Sequence, residues 1–328
     1  MTTQAFCPGH ITALFYAPPP GPTRESTGSR GAGLSISLGV RAKVRAVRGE
    51  GFGILPGPGT RLAPTVATAL GNYLSLARNP VELQLDLELD LPVGQGFGMS
   101  GAMALAAVLA AEGEMGLLRG DAARAAALAH AAEVEFRTGL GDVVAQVTGG
   151  LEIRRRPGLP PHGEVVTAPH GGEVLIAWTE EPLRTSSVLG DPGARARLER
   201  AALPRLDAAP AAPTLEWLLE EGWAFAQEAG LASPAVREMV EACLPHGRAS
   251  QVMLGNSIFA AGDLAAMGRE MDRLGRPHRV VRVDGRGARL LGGKGTAHRP
   301  QLRSRSGSPP PRRGPPPPPH SRRARRPT

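Results

Sequence analysis

Apolar and polar residues alternate strictly over V-E-L-Q-L-D-L-E-L-D-L, from Val81 to Leu91. Val81, Leu83, Leu85, Leu87, Leu89 and Leu91 share one face, while Glu82, Gln84, Asp86, Glu88 and Asp90 share the other. Successive side chains of a strand point to opposite faces, so the segment predicts a half-solvated strand of antiparallel type. Leu34, Ile36, Leu38 and Val40 repeat the alternation within a long β pattern over 31–47. The opening A-F-C-P-G-H-I-T-A-L-F-Y predicts a short strand, a Pro-Gly turn and a second strand. Helical runs are expected over 60–78, 100–118 and 121–137, the last introduced by Asp121 as an N-cap. Val143 to Val147 form a further apolar stretch closed by Gly149 and Gly150.

Beyond Leu151 the pattern changes to short strands near 151–154, 164–168 and 173–179, with helices near 194–202, 213–230 and 233–243. A strand–helix–strand unit then runs from Ser250 through 263–274 to the strand at His278. The fold class expected is α+β, two layers with mixed or antiparallel sheets covered by helices. A change of pattern near residue 160 separates an expected domain 1–160 from a second at 161–295.

Between the alternating strand and the helix that begins near Ser100 lies L-P-V-G-Q-G-F-G-M-S-G-A, Leu91 to Ala102. Gly94, Gly96 and Gly98 let the main chain approach an anion, and a helix start offers it free N–H groups and a positive dipole end. A plain tight turn has the same look. A Walker-type loop requires a lysine that is absent here. A dinucleotide loop follows a parallel strand buried on both faces, and the half-solvated Val81–Leu91 strand argues against one.

The chain has 328 residues, 41% hydrophobic, and 4% aromatic, so its core is built from Ala, Leu and Val. Cys7 and Cys243 cannot make a disulfide framework, and no metal-type spacing occurs. With no secretory leader pattern and no run of membrane-spanning length, a cytoplasmic protein is expected. The formal charge of +8 invites a nucleic-acid reading, but nine arginines and no acids lie beyond residue 295, which leaves residues 1–295 at about −1. The Pro/Arg-rich tail, 296–328, is expected to be disordered. It lacks aromatic residues to stack on bases, so nucleic acid remains a rival reading confined to the tail.

The loop is similar to that of the GHMP kinase superfamily, roughly Pro-x-Gly-x-Gly-Leu-Gly-Ser-Ser, with Phe97 in place of Leu and Met99 in place of the first serine. Those departures resemble the archaeal pantoate kinases. So do A-F-C-P-G-H-I-T, G-S-R-G-A-G-L-S-I and R-A-S-Q-V-M-L-G-N-S-I-F-A-A-G, in order over about residues 4–291. The resemblance implies a kinase using ATP and Mg²⁺. Its phosphate site would comprise Pro92, Gly94, Gly96, Phe97, Gly98, Met99, Ser100, Gly101 and Ala102. By the same match, H-A-A-E-V-E-F-R-T-G-L-G-D places Glu133 as a metal ligand with Ser100, and Asp142 as base or positioner for the attacking hydroxyl. Glu135 is an alternative ligand.

A small hydroxy acid such as pantoate calls for an arginine against its carboxylate. Arg30 and Arg154 are the candidates, with Ser29 and His10 as hydrogen-bonding partners. Expected partners are pantoate and ATP, with no membrane; a homodimer is compatible. Shikimate, homoserine and mevalonate stay open as alternative acceptors.

Overall fold

The computed structural model describes residues 2–181 and 192–292. The Pro/Arg-rich tail lies outside the described residues.

The chain opens with β1 (Thr3–Tyr16) and β2 (Arg30–Arg48), then β3 (Phe52–Pro56), α1 (Pro64–Leu74) and β4 (Val81–Leu89). Next come α2 (Met99–Met115), α3 (Ala122–Phe136), α4 (Asp142–Thr148), β5 (Leu151–Arg156) and β6 (Glu164–Ala168). These strands make a seven-stranded sheet of order β11-β1-β2-β4-β3, with β5 joining β2 and β6 joining β5; β11 is Arg289–Leu291. The alternating strand behaves as its pattern requires: Leu83 and Leu85 are buried, and Gln84, Asp86 and Glu88 are exposed. It pairs antiparallel with β2 on one side and parallel with β3 on the other, so the sheet is mixed. β3, an exposed edge strand, carries no alternation that would have announced it.

Two expectations are corrected here. The opening is one continuous strand rather than two joined by a turn; Pro8-Gly9 produces a register shift against β2 instead. Across that step Ser37 and Leu38 of β2 have no partner in β1, so the irregularity lies in β2 and the ladder continues. The 143–147 stretch, whose apolar run left its element open, is the body of helix α4.

α2 lies against β1 and β2, with α1 and α3 packed on its outer side. Thirteen of its residues are buried, so it is apolar all round and serves as the central helix of the domain. Its alanines allow helix and sheet backbones to approach closely. Asp121 caps α3 as expected, its side chain accepting from the Ala123 and Arg124 N–H groups.

The second layer comprises β7 (Glu173–Trp178), α5 (Pro192–Asp207), α6 (Leu215–Glu228), α7 (Pro234–Cys243), β8 (Gly247–Val252), β9 (Ser257–Gly262), α8 (Leu264–Arg273) and β10 (His278–Arg282). Its antiparallel sheet has the order β10-β7-β9-β8. One face packs Leu175, Ala177, Ile258 and Ala260 against α7 and α8, and the other sends Val174, Ile176 and Phe259 into the main core. The two layers do not divide at residue 160. β6 still belongs to the first sheet, and the chain returns to it through β11, which pairs with β1. Among the described residues, no helix is long and apolar enough to cross a membrane.

Candidate active site

The glycine loop turns into α2 through Gly94, Gly96 and Gly98, all at positive φ (+85°, +81° and +62°). No side chain caps the helix, so the N–H groups of its first turn are left without a capping partner. Phe97 and Met99, the two departures from the superfamily loop, are buried core anchors; Phe97 packs edge-on against Trp178, centroids 5.8 Å apart. Only their backbones are available to a phosphate. Gln95 is also buried, its amide donating to the Thr179 carbonyl at 2.7 Å and so fastening the loop to the second layer.

Three elements bring side chains to the loop. The C-terminal end of α3 supplies Glu133, and the turn Thr138–Gly141 delivers Asp142 at the start of α4. The Thr138 hydroxyl donates to Glu133 Oε1 at 2.7 Å, whereas Oε2 is buried and unpartnered. Gln146, one turn along α4, donates to the Gly98 carbonyl at 2.8 Å and ties α4 to the loop. A Cβ on Gly139 would stand 2.7 Å from Asp142 Oδ2 and nearer still to Glu133 Oε2. A Cβ on Gly101 would stand 3.0 Å from Glu133 Oε2. The two carboxylates and the first turn of α2 therefore meet around one point. Burial, and then the negative charge of Asp142, push the Glu133 carboxyl up to about 7, with the hydrogen bond from Thr138 offsetting part of the rise.

On the other side of Asp142, Gly141 separates it from Arg154 and Ser29. A Cβ on Gly141 would lie 2.5 Å from Arg154 Nε and 2.7 Å from Ser29 Oγ. Ser29 is held there by its own N–H, which donates to the Leu140 carbonyl at 2.9 Å. Arg154 is 2% exposed; its NH1 group is paired with Glu152 and its Nε is unpartnered. A buried donor on one side of Asp142 and a buried acceptor on the other form a site suited to an anion and a cation respectively.

His10 also reaches Asp142, its Nδ1 lying 2.7 Å from Oδ1, while Nε2 lies 3.1 Å from Glu152 Oε1. Burial disfavours a charged ring, but the two carboxylates outweigh it and raise the pKa of His10. Both ring nitrogens are thus taken by protein carboxylates rather than left for a substrate. Arg30 is not brought to the cluster: it pairs with Asp207 of α5 at 2.8 Å. Glu135 faces the surface, paired with Arg24 at 2.9 Å. Gly255 and Asn256 follow β8; a Cβ on Gly255 would collide with the Gln95 carbonyl, so this turn backs the glycine loop.

Residues 62–150 match the family described as "GHMP kinases N terminal domain". Along its length the chain is 31% identical to the pantoate kinase of Methanospirillum hungatei over 279 residues, 80% of this chain and 88% of that one. It is 30% identical to the pantoate kinase of Methanocaldococcus jannaschii over 255 residues, 77% and 90% of the two chains. The chain belongs to the pantoate kinase family of GHMP kinases. A solved structure titled "Phosphotransferase related to CoA biosynthesis pathway" superposes with a TM-score of 0.77 at 26% identity, covering 90% of this chain and all of that one.

Within this family fold, Glu152, Gln146 and Thr138 are site residues that sequence reasoning passes over. Glu152 carries one signal. In L-E-I-R, Glu152 and Arg154 share a strand face opposite Leu151 and Ile153, and all four residues are buried. Two ionisable residues on one buried strand face require partners from elsewhere in the fold.

The superfamily's Mg²⁺ can be tested against these residues. Ser100 Oγ and the unpartnered Glu133 Oε2 are hard oxygen donors, the type this ion takes. Among the described residues, no group of three or more His, Cys, Asp or Glu residues could hold a metal by itself. Ser100 and Glu133 nonetheless fit the ion.

Proposed function

We propose that the protein transfers the γ-phosphoryl group of ATP to the primary hydroxyl of pantoate, giving 4-phosphopantoate. The observation that carries this reading is Asp142 flanked by two buried, unpartnered polar atoms, Glu133 Oε2 on the loop side and Arg154 Nε on the other. Pantoate has a carboxylate at one end and the reacting hydroxyl at the other. Arg154 and Ser29 hold the carboxylate, which directs the hydroxyl toward Asp142. Arg154 is preferred to Arg30 because Arg30 is already turned to Asp207.

The glycine loop and the first turn of α2 hold the triphosphate through backbone N–H groups. Ser100 and Glu133 would hold Mg²⁺, which would supply positive charge against the phosphates. Asp142 orients the hydroxyl and accepts its proton as the oxygen–phosphorus bond forms and the bond to ADP breaks. The glycine turn keeps bulky side chains out of the space between hydroxyl and phosphate.

ADP release by purified protein, followed with pantoate, homoserine, shikimate and mevalonate as acceptors, tests the assignment. All four acceptors carry a carboxylate for Arg154, so pantoate is expected to give the highest turnover through the rest of the molecule, against the ammonium of homoserine, the ring of shikimate and the longer chain of mevalonate. Turnover of another acceptor with none of pantoate would overturn it.

A further inference from the structure

Phosphate, metal and carboxylate binding do not account for one buried feature, the chain of contacts Asp142–His10–Glu152–Arg154. Its members come from α4, β1 and β5 and are separated by up to 144 positions in sequence. Glu152 Oε1 is shared, since it faces His10 Nε2 and also pairs with Arg154 NH1. His10, Glu152 and Arg154 are all nine-tenths or more buried, while Asp142 keeps 21% of its side chain exposed. Carboxylates only accept hydrogen bonds, so an ionised pair on either side of His10 requires both ring N–H groups. Imidazolium and guanidinium then balance the two carboxylates. Glu133 also faces Asp142, across Gly139.

The backbone is arranged to present His10 in this way. The register shift at Pro8/Gly9 immediately precedes it, and its own N–H donates to the Phe97 carbonyl at 3.0 Å. A single residue thereby touches the phosphate loop through its main chain and the base through its ring. Removing one member of such a buried chain leaves another charge uncompensated out of water.

We propose that His10 is a positioning residue, holding Asp142 through Nδ1, and that Glu152 couples that hold to Arg154, so the base and the carboxylate anchor are set as one unit. With Oδ1 held by His10, Oδ2 is the oxygen turned toward Gly139 and Glu133, where the acceptor hydroxyl arrives. His10 exchanges no proton with the substrate. This inference rests on the kinase reading above and adds a residue pair to it.

The test is steady-state kinetics of His10→Gln and Glu152→Gln alongside the unaltered protein, with ATP binding and thermal melting as checks on folding. His10→Gln is expected to lower kcat about 10- to 100-fold, the range for a residue that orients another, with KM for pantoate and ATP within about threefold. Glu152→Gln is expected to lower kcat and raise KM for pantoate together, because it releases both neighbours. If His10→Gln instead raises KM for pantoate with kcat unchanged, His10 is a substrate contact and the proposal fails. No change in either parameter also overturns it. Nitrogen NMR of the unaltered protein gives a result independent of variant folding: at pH 7 His10 should carry protons on both ring nitrogens, and a neutral ring refutes the chain. Absence of pantoate-dependent ADP release in the unaltered protein would sink the kinase reading itself, whereas the NMR result stands apart from turnover.

Discussion

Glu133→Gln should stabilise the metal-free protein above neutral pH and leave its stability nearly unchanged in mild acid. The Glu133 carboxyl has an ordinary value of 4.5 and is pushed up to about 7 by burial and by Asp142. A raised folded-state pKa means that the native protein binds the proton more tightly than the unfolded chain does. Stability from this group therefore falls as pH rises from about 4.5 to about 7 and stays at its lower level beyond. Each unit is worth about 1.4 kcal/mol, which sets a ceiling of about 3 kcal/mol for the cost of ionising Glu133 in place. Glutamine keeps an oxygen for the Thr138 hydroxyl and carries no charge to desolvate. Urea denaturation with EDTA present, at pH 5 and pH 8, measures the difference. The variant should gain roughly 1–3 kcal/mol at pH 8 and less than about 1 kcal/mol at pH 5. Equal or lower stability at pH 8 would show that Glu133 does not bear a burial penalty, and the case for its awaiting a cation would lose its electrostatic basis.

Gly98→Ala puts a Cβ where φ is +62° and where Gln146 Nε2 stands 3.0 Å away, with His10 and Asp142 just beyond. A loss of about 1–2 kcal/mol by calorimetry is expected, with KM for ATP raised about tenfold or more; a fully active, equally stable variant would contradict the close packing of loop, base and α4. Arg154→Lys keeps the charge and loses the planar fork that serves Glu152 and the substrate at once, so KM for pantoate should rise at least about tenfold. An unchanged KM would move the carboxylate to another residue.

The family loop is legible in sequence because it is local. Strand, glycines and helix start are contiguous, and the solvent-facing acids of β4 already exclude a dinucleotide site. Asp142 and Glu133 are legible as candidates only through the resemblance; the structure brings the two carboxylates together across Gly139. The Pro-Gly pair before His10 gives the same local signal whether the strand ends or continues; only pairing with β2 decides between them, and it decides for continuity. The role offered for Arg30 meets a similar limit. Nothing near Gly31 announces Asp207, which reaches it from a helix 177 positions away.

By itself the sequence determined the periodicities of the main strands and helices, the cap of α3 and the segment where a phosphate would sit. Each depends on neighbours within a few positions. Tertiary structure decided that α4 is a helix, that β6 and β11 return to the first sheet, and which partners the buried charges take. His10, Glu152 and Arg154 look in sequence like a turn residue and a polar strand end. They become one ionic chain because β1, α4 and β5 converge out of water, where an ionised group has to find its partner within hydrogen-bonding distance.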